Sequence, residues 1–207
     1  DDQWILEGPD DMIVKTKEDG LYMETPSPED NADGHWVLWA NRVFPDNYMV
    51  EYTFTPRDDR QGLNILFFSA YHPDGETIFD LDLPYRGGNF RPYIVGAINN
   101  YHISPWATDG QNLRATSNMR KNTGFRLVAR GDDVIGGGGP GPHTVRILKV
   151  GGKIRMESNG ILCLAFDDDG ESYGPVHGGG YIGVRFMAHT GYATLHDLKV
   201  YSVSENP

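Results

Sequence analysis

The residues best suited to chemistry lie in the middle of the chain, around His102. Asn100 precedes His102 by two positions and Ser104 follows it by two, so in an extended strand these three side chains share one face. Tyr101 then points to the opposite face. Histidine and tyrosine transfer protons, and amide and hydroxyl groups bind sugars. We therefore interpret this segment as part of a sugar site, with a structural role for His102 on a sandwich face as the alternative.

A group of basic and amide side chains follows shortly after this segment, in a protein that is otherwise acidic. Such groups bind a carboxylate through charge-assisted hydrogen bonds. They would also stabilise the charge that develops when a base removes the C5 proton of a uronic acid. The residues predicted for this task are Arg114, Asn118 and Arg120, with Lys121 in support.

Proton transfer would complete a β-elimination. His102 is the predicted base, because its ordinary pKa near ~6.5 leaves it largely neutral at pH 7. Tyr93 or Tyr101 is the predicted acid that protonates the leaving oxygen, and the sequence does not rank the two. The remaining predicted sugar contacts are Asn100, Ser104, Trp106, Trp39 and Asp80.

Two aspartates offer an alternative reaction, glycoside hydrolysis by a pair of carboxylates. Asp80 and Asp82 would lie on one face, roughly 7 Å apart, if their segment were a strand. The jelly-roll glucanase signature of two glutamates flanking an aspartate on one strand is not found in the sequence. Hydrolysis would also leave the basic residues unexplained. Elimination is therefore favoured, and a structural or sugar-binding role is favoured for Asp80.

Little in the sequence indicates a cofactor. The run 167–171 has the composition of a calcium loop but lacks the alternating ligands and closing glutamate of the helix-loop-helix type. A solvated acidic turn is favoured there, with a structural calcium ion as the alternative. The histidines show no zinc spacing. Cys163 lies in an apolar segment and is predicted to be a buried small hydrophobe rather than a nucleophile.

Alternating strands are predicted to position these residues. The segment 143–203 has the pattern of a three-strand meander, with tight turns at 151–152 and 159–160, followed by two more strands. Strands with one apolar face and no helical stretch among them need a second sheet to cover that face. The predicted fold class is all-β, a two-sheet antiparallel β-sandwich. The order of its last strands resembles that of concanavalin A-like jelly rolls.

Length and charge limit the possible partners. The 207 residues predict one domain, 1–207. The formal net charge of −11 argues against nucleic acid and anionic membranes as partners. No apolar run approaches the ~20 residues of a membrane span. We expect a monomer or homodimer that is periplasmic or secreted, with the cytoplasm as the alternative. Because the chain starts at Asp1, we expect its numbering to begin after processing or at a chosen boundary.

Two functions without catalysis remain open. A carbohydrate-binding module would need aromatic platforms, which Trp36, Trp39, Trp106 and Tyr93 would supply. Trp36 and Trp39 point to opposite faces of a strand, so one is expected in the core and the other on a sugar. An interaction domain would need a broad apolar patch. The enzyme is favoured, because a platform does not require His102 beside arginine and lysine.

Several segments together resemble the YesU-like proteins, a bacterial family with a concanavalin A-like jelly roll. The likeness covers nearly the whole chain. It implies an association with the breakdown of acidic polysaccharides such as rhamnogalacturonan, without a defined activity. The matching segments are 4–8, 39–45, 62–70, 93–104, 118–121, 124–125 and 172–176.

Two features depart from the family pattern. After Ser104 the family usually continues with a tyrosine and a pair of arginines, whereas this chain has Pro105-Trp106-Ala107-Thr108. We therefore expect the anion-binding part to be reshaped toward aromatic stacking. The family also has a further first strand before the segment of Trp4, so we expect either a trimmed chain or an unpaired edge strand.

Overall fold

Two antiparallel sheets of seven strands each, packed face to face, form the protein. The structure, a computed structural model, describes residues 3–18, 20–24, 35–56, 61–109, 114–136, 141–187 and 192–204. In chain order the strands are β1 (Trp4–Glu7), β2 (Ile13–Lys17), β3 (Gly20–Glu24), β4 (Trp36–Ala40), β5 (Tyr48–Pro56), β6 (Gln61–Gly62), β7 (Asn64–Tyr71), β8 (Asn99–Ser104), β9 (Thr108–Asp109), β10 (Thr116–Asn122), β11 (Arg126–Asp132), β12 (His143–Val150), β13 (Lys153–Ser158), β14 (Ile161–Asp167), β15 (Tyr181–Phe186) and β16 (Tyr192–Ser202).

The strand order confirms the predicted two-sheet sandwich. The first sheet has the order β1-β4-β15-β7-β8-β10-β11, and the second has the order β14-β13-β12-β5-β16-β3-β2. Strands β6 and β9 form a separate two-stranded pair. The predicted meander is β12, β13 and β14, and the turn between the last two uses Asn159 and Gly160 at φ of 53° and 76°. Asparagine and glycine adopt this left-handed conformation most readily.

Alternation along the strands builds the main core between the sheets. In β5 the side chains of Tyr48, Val50, Tyr52 and Phe54 are buried and alternate with half-exposed ones. They pack against apolar residues of the first sheet, including Leu66. Each large side chain buried in this way stabilises the fold by about 1.5–3 kcal/mol.

A second apolar cluster covers part of the outer face of the first sheet, the face turned away from the second sheet. It joins side chains of β4 and β7 to the segment 72–98 that follows β7. This segment includes the short helix α1 (Phe90–Val95), whose start is capped by the Asn89 side chain accepting from Arg91 N at 3.2 Å. Helix α1 is neither long nor apolar enough to cross a membrane.

Two segments near the predicted site residues are not strands. The strand that contains His102 begins at Asn99, and Tyr93 lies on α1. The segment containing Asp80 and Asp82 is a series of turns rather than a strand. Its conformation is set by Asp80, which accepts from the backbone N of Glu76 and of Thr77 at 3.1 and 3.2 Å. These bonds hold the pKa of Asp80 below its usual value.

Candidate functional site

The outer face of the first sheet brings several predicted site residues together on neighbouring strands. Ser104 on β8 lies opposite Asn118 on β10, and His102 lies opposite Arg120. Asn100 is on the same face, where its Nδ2 donates to the carbonyl oxygen of Tyr93 at 2.8 Å. The shared face predicted for these β8 residues therefore comes from simple strand alternation.

Two further arginines join this surface. Arg130 on β11 is the register partner of Asn118, so its side chain belongs to the same face. Arg114 precedes β10, and its Nη2 donates to the carbonyl oxygen of Ser104 and, at 3.1 Å, to the Ser104 hydroxyl oxygen. We refer to this surface as the arginine face; it consists of Arg114, Arg120, Arg130, Ser104 and Asn118.

Among the residues that the structure describes, no carboxylate forms an ion pair with any of the three guanidiniums of the arginine face. Burial lowers the pKa of Arg114, and Asp133, which does not pair with it, raises that pKa by less. Arg120 instead donates to the carbonyl oxygen of Phe125 at 2.9 Å and lies 3.8 Å from the centre of its ring. Burial lowers the pKa of Arg120, and Arg130 lowers it further. The surface is thus a concentration of positive charge on an acidic protein.

A fourth arginine lies deeper on the same face. Arg185 on β15 is fully buried, with its guanidinium 4.6 Å from the Phe90 ring and Nη2 donating to Gly88 O at 3.1 Å. Its Nε has no hydrogen-bond partner among the residues that the structure describes. Burial lowers the pKa of Arg185 to about 10. A buried cation without a carboxylate is costly, so an anion near this face would be electrostatically favoured.

His102 is enclosed by aromatic rings. The centres of Phe67, Phe90 and Phe125 lie 5.5, 5.8 and 6.0 Å from its ring, and the residue is 1% exposed. Its Nδ1 lies 2.9 Å from Asn122 Nδ2. Since an amide nitrogen can only donate, Nδ1 accepts, and a proton on the neutral ring belongs on Nε2. Burial first, and then the nearby arginines, lower the pKa of His102 to about 3.

These histidines make stability depend on pH. His177 is also buried, and burial lowers its pKa to about 4. Between pH ~6.5 and about 4 the unfolded chain binds protons that the folded protein does not bind, so stability falls as the pH falls. We expect a loss on the order of 1.4 kcal/mol per pH unit for each histidine. Denaturant unfolding between pH 7 and pH 4 measures this loss of stability. His102→Gln should reduce the slope of the unfolding free energy against pH. A flat profile would contradict this assignment.

Tyr93, the predicted acid, belongs to a hydrogen-bond network around Glu7 instead. Its hydroxyl donates to Glu7 Oε2 at 2.8 Å, and burial raises its pKa. The same carboxylate accepts from Trp39 Nε1 at 2.9 Å and pairs with Arg86. Trp36 and Trp39 do point to opposite faces, but neither has an exposed surface. Trp39 therefore lies under the segment 72–98 and does not present its ring to solvent.

Tyr101 and Lys121 point into the sandwich, away from the arginine face. Tyr101 donates to Asp168 through its hydroxyl and accepts from His177 N at 3.0 Å. Burial raises the pKa of Tyr101. Lys121 Nζ lies 2.6 Å from Asp168 Oδ2, and both side chains are nearly inaccessible. Burial alone would raise the pKa of Asp168, but bonds from Lys121 and Tyr101 outweigh it and lower that pKa.

The other predicted contacts are also engaged elsewhere. Trp106 is 1% exposed and packs in the main core, 5.3 Å from the Phe54 ring. In the acidic run, Asp167 pairs with Arg155 at 2.6 Å, while Asp169 accepts from the backbone of its own turn. The described residues contain no group of three or more metal-ligating side chains that could hold an ion.

Sequence reasoning missed three members of this region. Arg130 is exposed between two half-buried residues of β11 and was recognisable as part of a strand, but its neighbour on β10 depends on pairing. Arg185 lies within a predicted strand, and Phe125 lies near the start of one. No local feature of the sequence places either residue beside His102. These contacts arise from the order of strands in the sheet.

Comparisons with known proteins agree with this architecture. A family model described as a domain of unknown function (DUF1961) matches residues 2–200. The uncharacterized protein YesU of Bacillus subtilis (strain 168) is 37% identical over 160 residues, which are 75% of this chain and 72% of YesU. A crystal structure of a Bacillus subtilis protein of unknown function with a galectin-like fold has a TM-score of 0.84 at 32% identity, covering 96% of this chain and 89% of that one.

More distant structures share the fold alone. The carbohydrate binding module CBM66 from Bacillus subtilis has a TM-score of 0.59 at 12% identity, covering 97% of this chain and 96% of that module. A legume lectin-like domain from Entamoeba histolytica has a TM-score of 0.59 at 14% identity, covering 98% and 91% of the two chains. The sandwich is therefore of the galectin- and lectin-like kind.

Proposed function

This chain belongs to the DUF1961 family and is similar to YesU, and from that starting point we propose that it binds an acidic carbohydrate on the arginine face. The ligand is an oligosaccharide or polysaccharide that carries uronic acid or another anionic sugar. Its carboxylates contact Arg114, Arg120 and Arg130, and its hydroxyl groups contact Ser104 and Asn118.

The observation that carries this proposal is that, in the described part of the chain, no carboxylate forms an ion pair with these three guanidiniums. Charged groups on an acidic protein usually find opposite partners, as Arg146 does with Glu51 on the second sheet. A bidentate arginine–carboxylate pair is stronger and more directional than a bond between neutral groups. An anionic ligand would therefore supply the charge that this surface lacks.

The sugar part of the proposal draws support from fold neighbours. CBM66 is named as a carbohydrate binding module, and the Entamoeba histolytica domain is named as legume lectin-like. Ser104 and Asn118 provide the hydroxyl and amide groups that commonly bind sugar hydroxyls. These groups lie on β8 and β10, beside Arg120 on β10 and Arg130 on β11.

A lyase is the second candidate, favoured by the position of His102 opposite Arg120. In β-elimination His102 would take the C5 proton of the uronic acid, a C4–C5 double bond would form, the bond from C4 to its oxygen would break, and that oxygen would leave with a proton from Tyr93 or Tyr101. With a pKa of about 3, His102 is a weak base, and Tyr93 and Tyr101 are engaged with carboxylates. We therefore place binding first.

Titration calorimetry tests the proposal with galacturonate, alginate and ulvan oligosaccharides against neutral oligosaccharides of equal length. We expect saturable binding of at least one acidic ligand and weaker binding as salt rises from 0.05 to 1 M, because the screening length falls to about 3 Å at 1 M. Equal affinity for neutral sugars, or no binding in the acidic panel, would refute it. A rise in ultraviolet absorbance that His102→Ala abolishes would establish elimination in addition.

A further inference from the structure

A groove on the edge of the sandwich lies away from the arginine face. It consists of two adjoining clefts, of about 410 and 520 Å³, which share Trp4 and Leu198. Both volumes fall within the roughly 300–1,000 Å³ that is usual for ligand sites. The first cleft is otherwise lined by Gln3, Ala40, Asn41, Arg42, Phe44 and Val200. The second is lined mainly by the β2–β3 hairpin and by residues 195–197 of β16.

A change in the pairing of β16 opens the groove. β16 pairs with β3 from Tyr192 to Leu195, whereas its pairing with β5 continues to Ser202. Between His196 and Lys199 the register shifts, and Asp197 has a φ of 54°. Such bulges re-aim side chains and end pairing locally. The second half of β16 therefore has no partner strand on its β3 side among the described residues, and the groove occupies that place.

Glycine allows the hairpin to approach the bulge. Gly20 has a φ of 122°, and a Cβ at this position would lie 2.3 Å from the Cβ of His196. A side chain could not fit in this space. The hairpin thus contacts β16 at His196 and leaves Leu198 open to the two clefts.

Trp4 gives the groove an accessible aromatic ring. Of the four tryptophans in the chain, Trp36, Trp39 and Trp106 are at most 1% exposed. Trp4 is partly exposed, packs on one side against the main core and lines both clefts. An indole with one covered face and a polar surrounding is suited to a molecule with an apolar face and a polar rim.

The charges along the groove balance one another. Lys17 lies 3.3 Å from the centre of the Tyr22 ring, and Arg42 lies 5.2 Å from that of Phe44. Asp197 pairs with Lys199 at 3.7 Å and with the ring of His196 at 3.5 Å. Glu18 also lines the second cleft. The described residues of the lining include two basic and two acidic side chains, so this part of the groove has no excess charge with which to attract an ion.

We propose that this groove is a second carbohydrate site, which binds an uncharged oligosaccharide. One sugar ring stacks on Trp4, and neighbouring rings of the same chain extend into the two clefts. Hydroxyl groups of the sugar bond to polar side chains along the walls. The site uses none of the arginines of the arginine face, so it stands independently of the function proposed above.

The test uses hexaoses of cellulose, xylan, mannan, galactan and arabinan as probes. Because acrylamide quenches exposed indoles, its effect on the intact protein reports mainly on Trp4. We expect one hexaose to bind saturably in calorimetry and to protect the fluorescence from acrylamide. Trp4→Ala should weaken this binding about ten-fold or more, and Trp4→Phe should weaken it less, because a smaller ring still stacks.

A second variant covers the case in which Trp4→Ala does not fold. Leu198→Tyr keeps Trp4 but fills the groove, and it should abolish binding of the hexaose. Arg120→Gln should leave that binding unchanged and thereby separate the two sites. The proposal is overturned if no hexaose binds more tightly than about 10 mM. It is also overturned if binding survives both Trp4→Phe and Leu198→Tyr at full strength.

Discussion

The double variant Arg120→Gln/Arg130→Gln should weaken binding of an acidic oligosaccharide by roughly 100-fold or more. A hydrogen bond to a charged group contributes about 1.5–3 kcal/mol, which corresponds to roughly 10- to 100-fold in affinity for each arginine. These two arginines are suited to the test because both side chains are at least partly exposed. Calorimetry with the acidic ligand that binds the unaltered protein measures the loss.

The control is a double variant on the opposite side of the molecule. Arg146→Gln/Arg155→Gln removes the same two charges from the second sheet, where both arginines already pair with carboxylates. It should change affinity by less than about three-fold, because only long-range attraction is altered. The affinity of Arg120→Lys should lie between those of the two double variants, since lysine keeps the charge but not the planar fork of arginine. An equal loss in both double variants would mean that binding depends on net charge alone.

Lys121→Met should destabilise the protein by about 3–5 kcal/mol. The substitution leaves Asp168 as a buried carboxylate without its ammonium partner, and its side chain is 0% exposed. In a protein of this size, 1 kcal/mol shifts the melting temperature by about 2–4 °C, so a decrease of roughly 6–20 °C is expected. Thermal and denaturant unfolding followed by circular dichroism measure this effect.

Two comparisons show whether an unpaired charge is the cause. Lys121→Met/Asp168→Leu removes both charges and should recover much of the loss, because buried pairs are often replaceable by apolar residues. Lys199→Met breaks a pair whose side chains are 51% and 62% exposed, and it should cost less than about 1 kcal/mol. If Lys121→Met is no more harmful than Lys199→Met, the buried pair does not stabilise the fold as described.

Many of the strands and the two-sheet architecture were accessible from sequence. Period-two alternation in segments such as 48–55 and 143–150 reflects burial of one face, and it holds in the structure. The positive φ of Asn159 and Gly160 follows from residue type. The same rule placed His102, Asn100 and Ser104 on one side of β8 and Tyr101 on the other. Each of these features depends on residues close together in the chain.

Tertiary structure alone decided which faces are open and which strands are neighbours. Alternation gives a strand two faces but does not say that a later segment covers one of them, as 72–98 covers Trp39. Arg185 reaches the surroundings of His102 from β15, which is distant in sequence. The groove beside Trp4 exists because β16 shifts register and loses β3 as a partner. Burial and the clustering of charges depend on contacts between residues far apart in the chain, so no local sequence pattern reveals them.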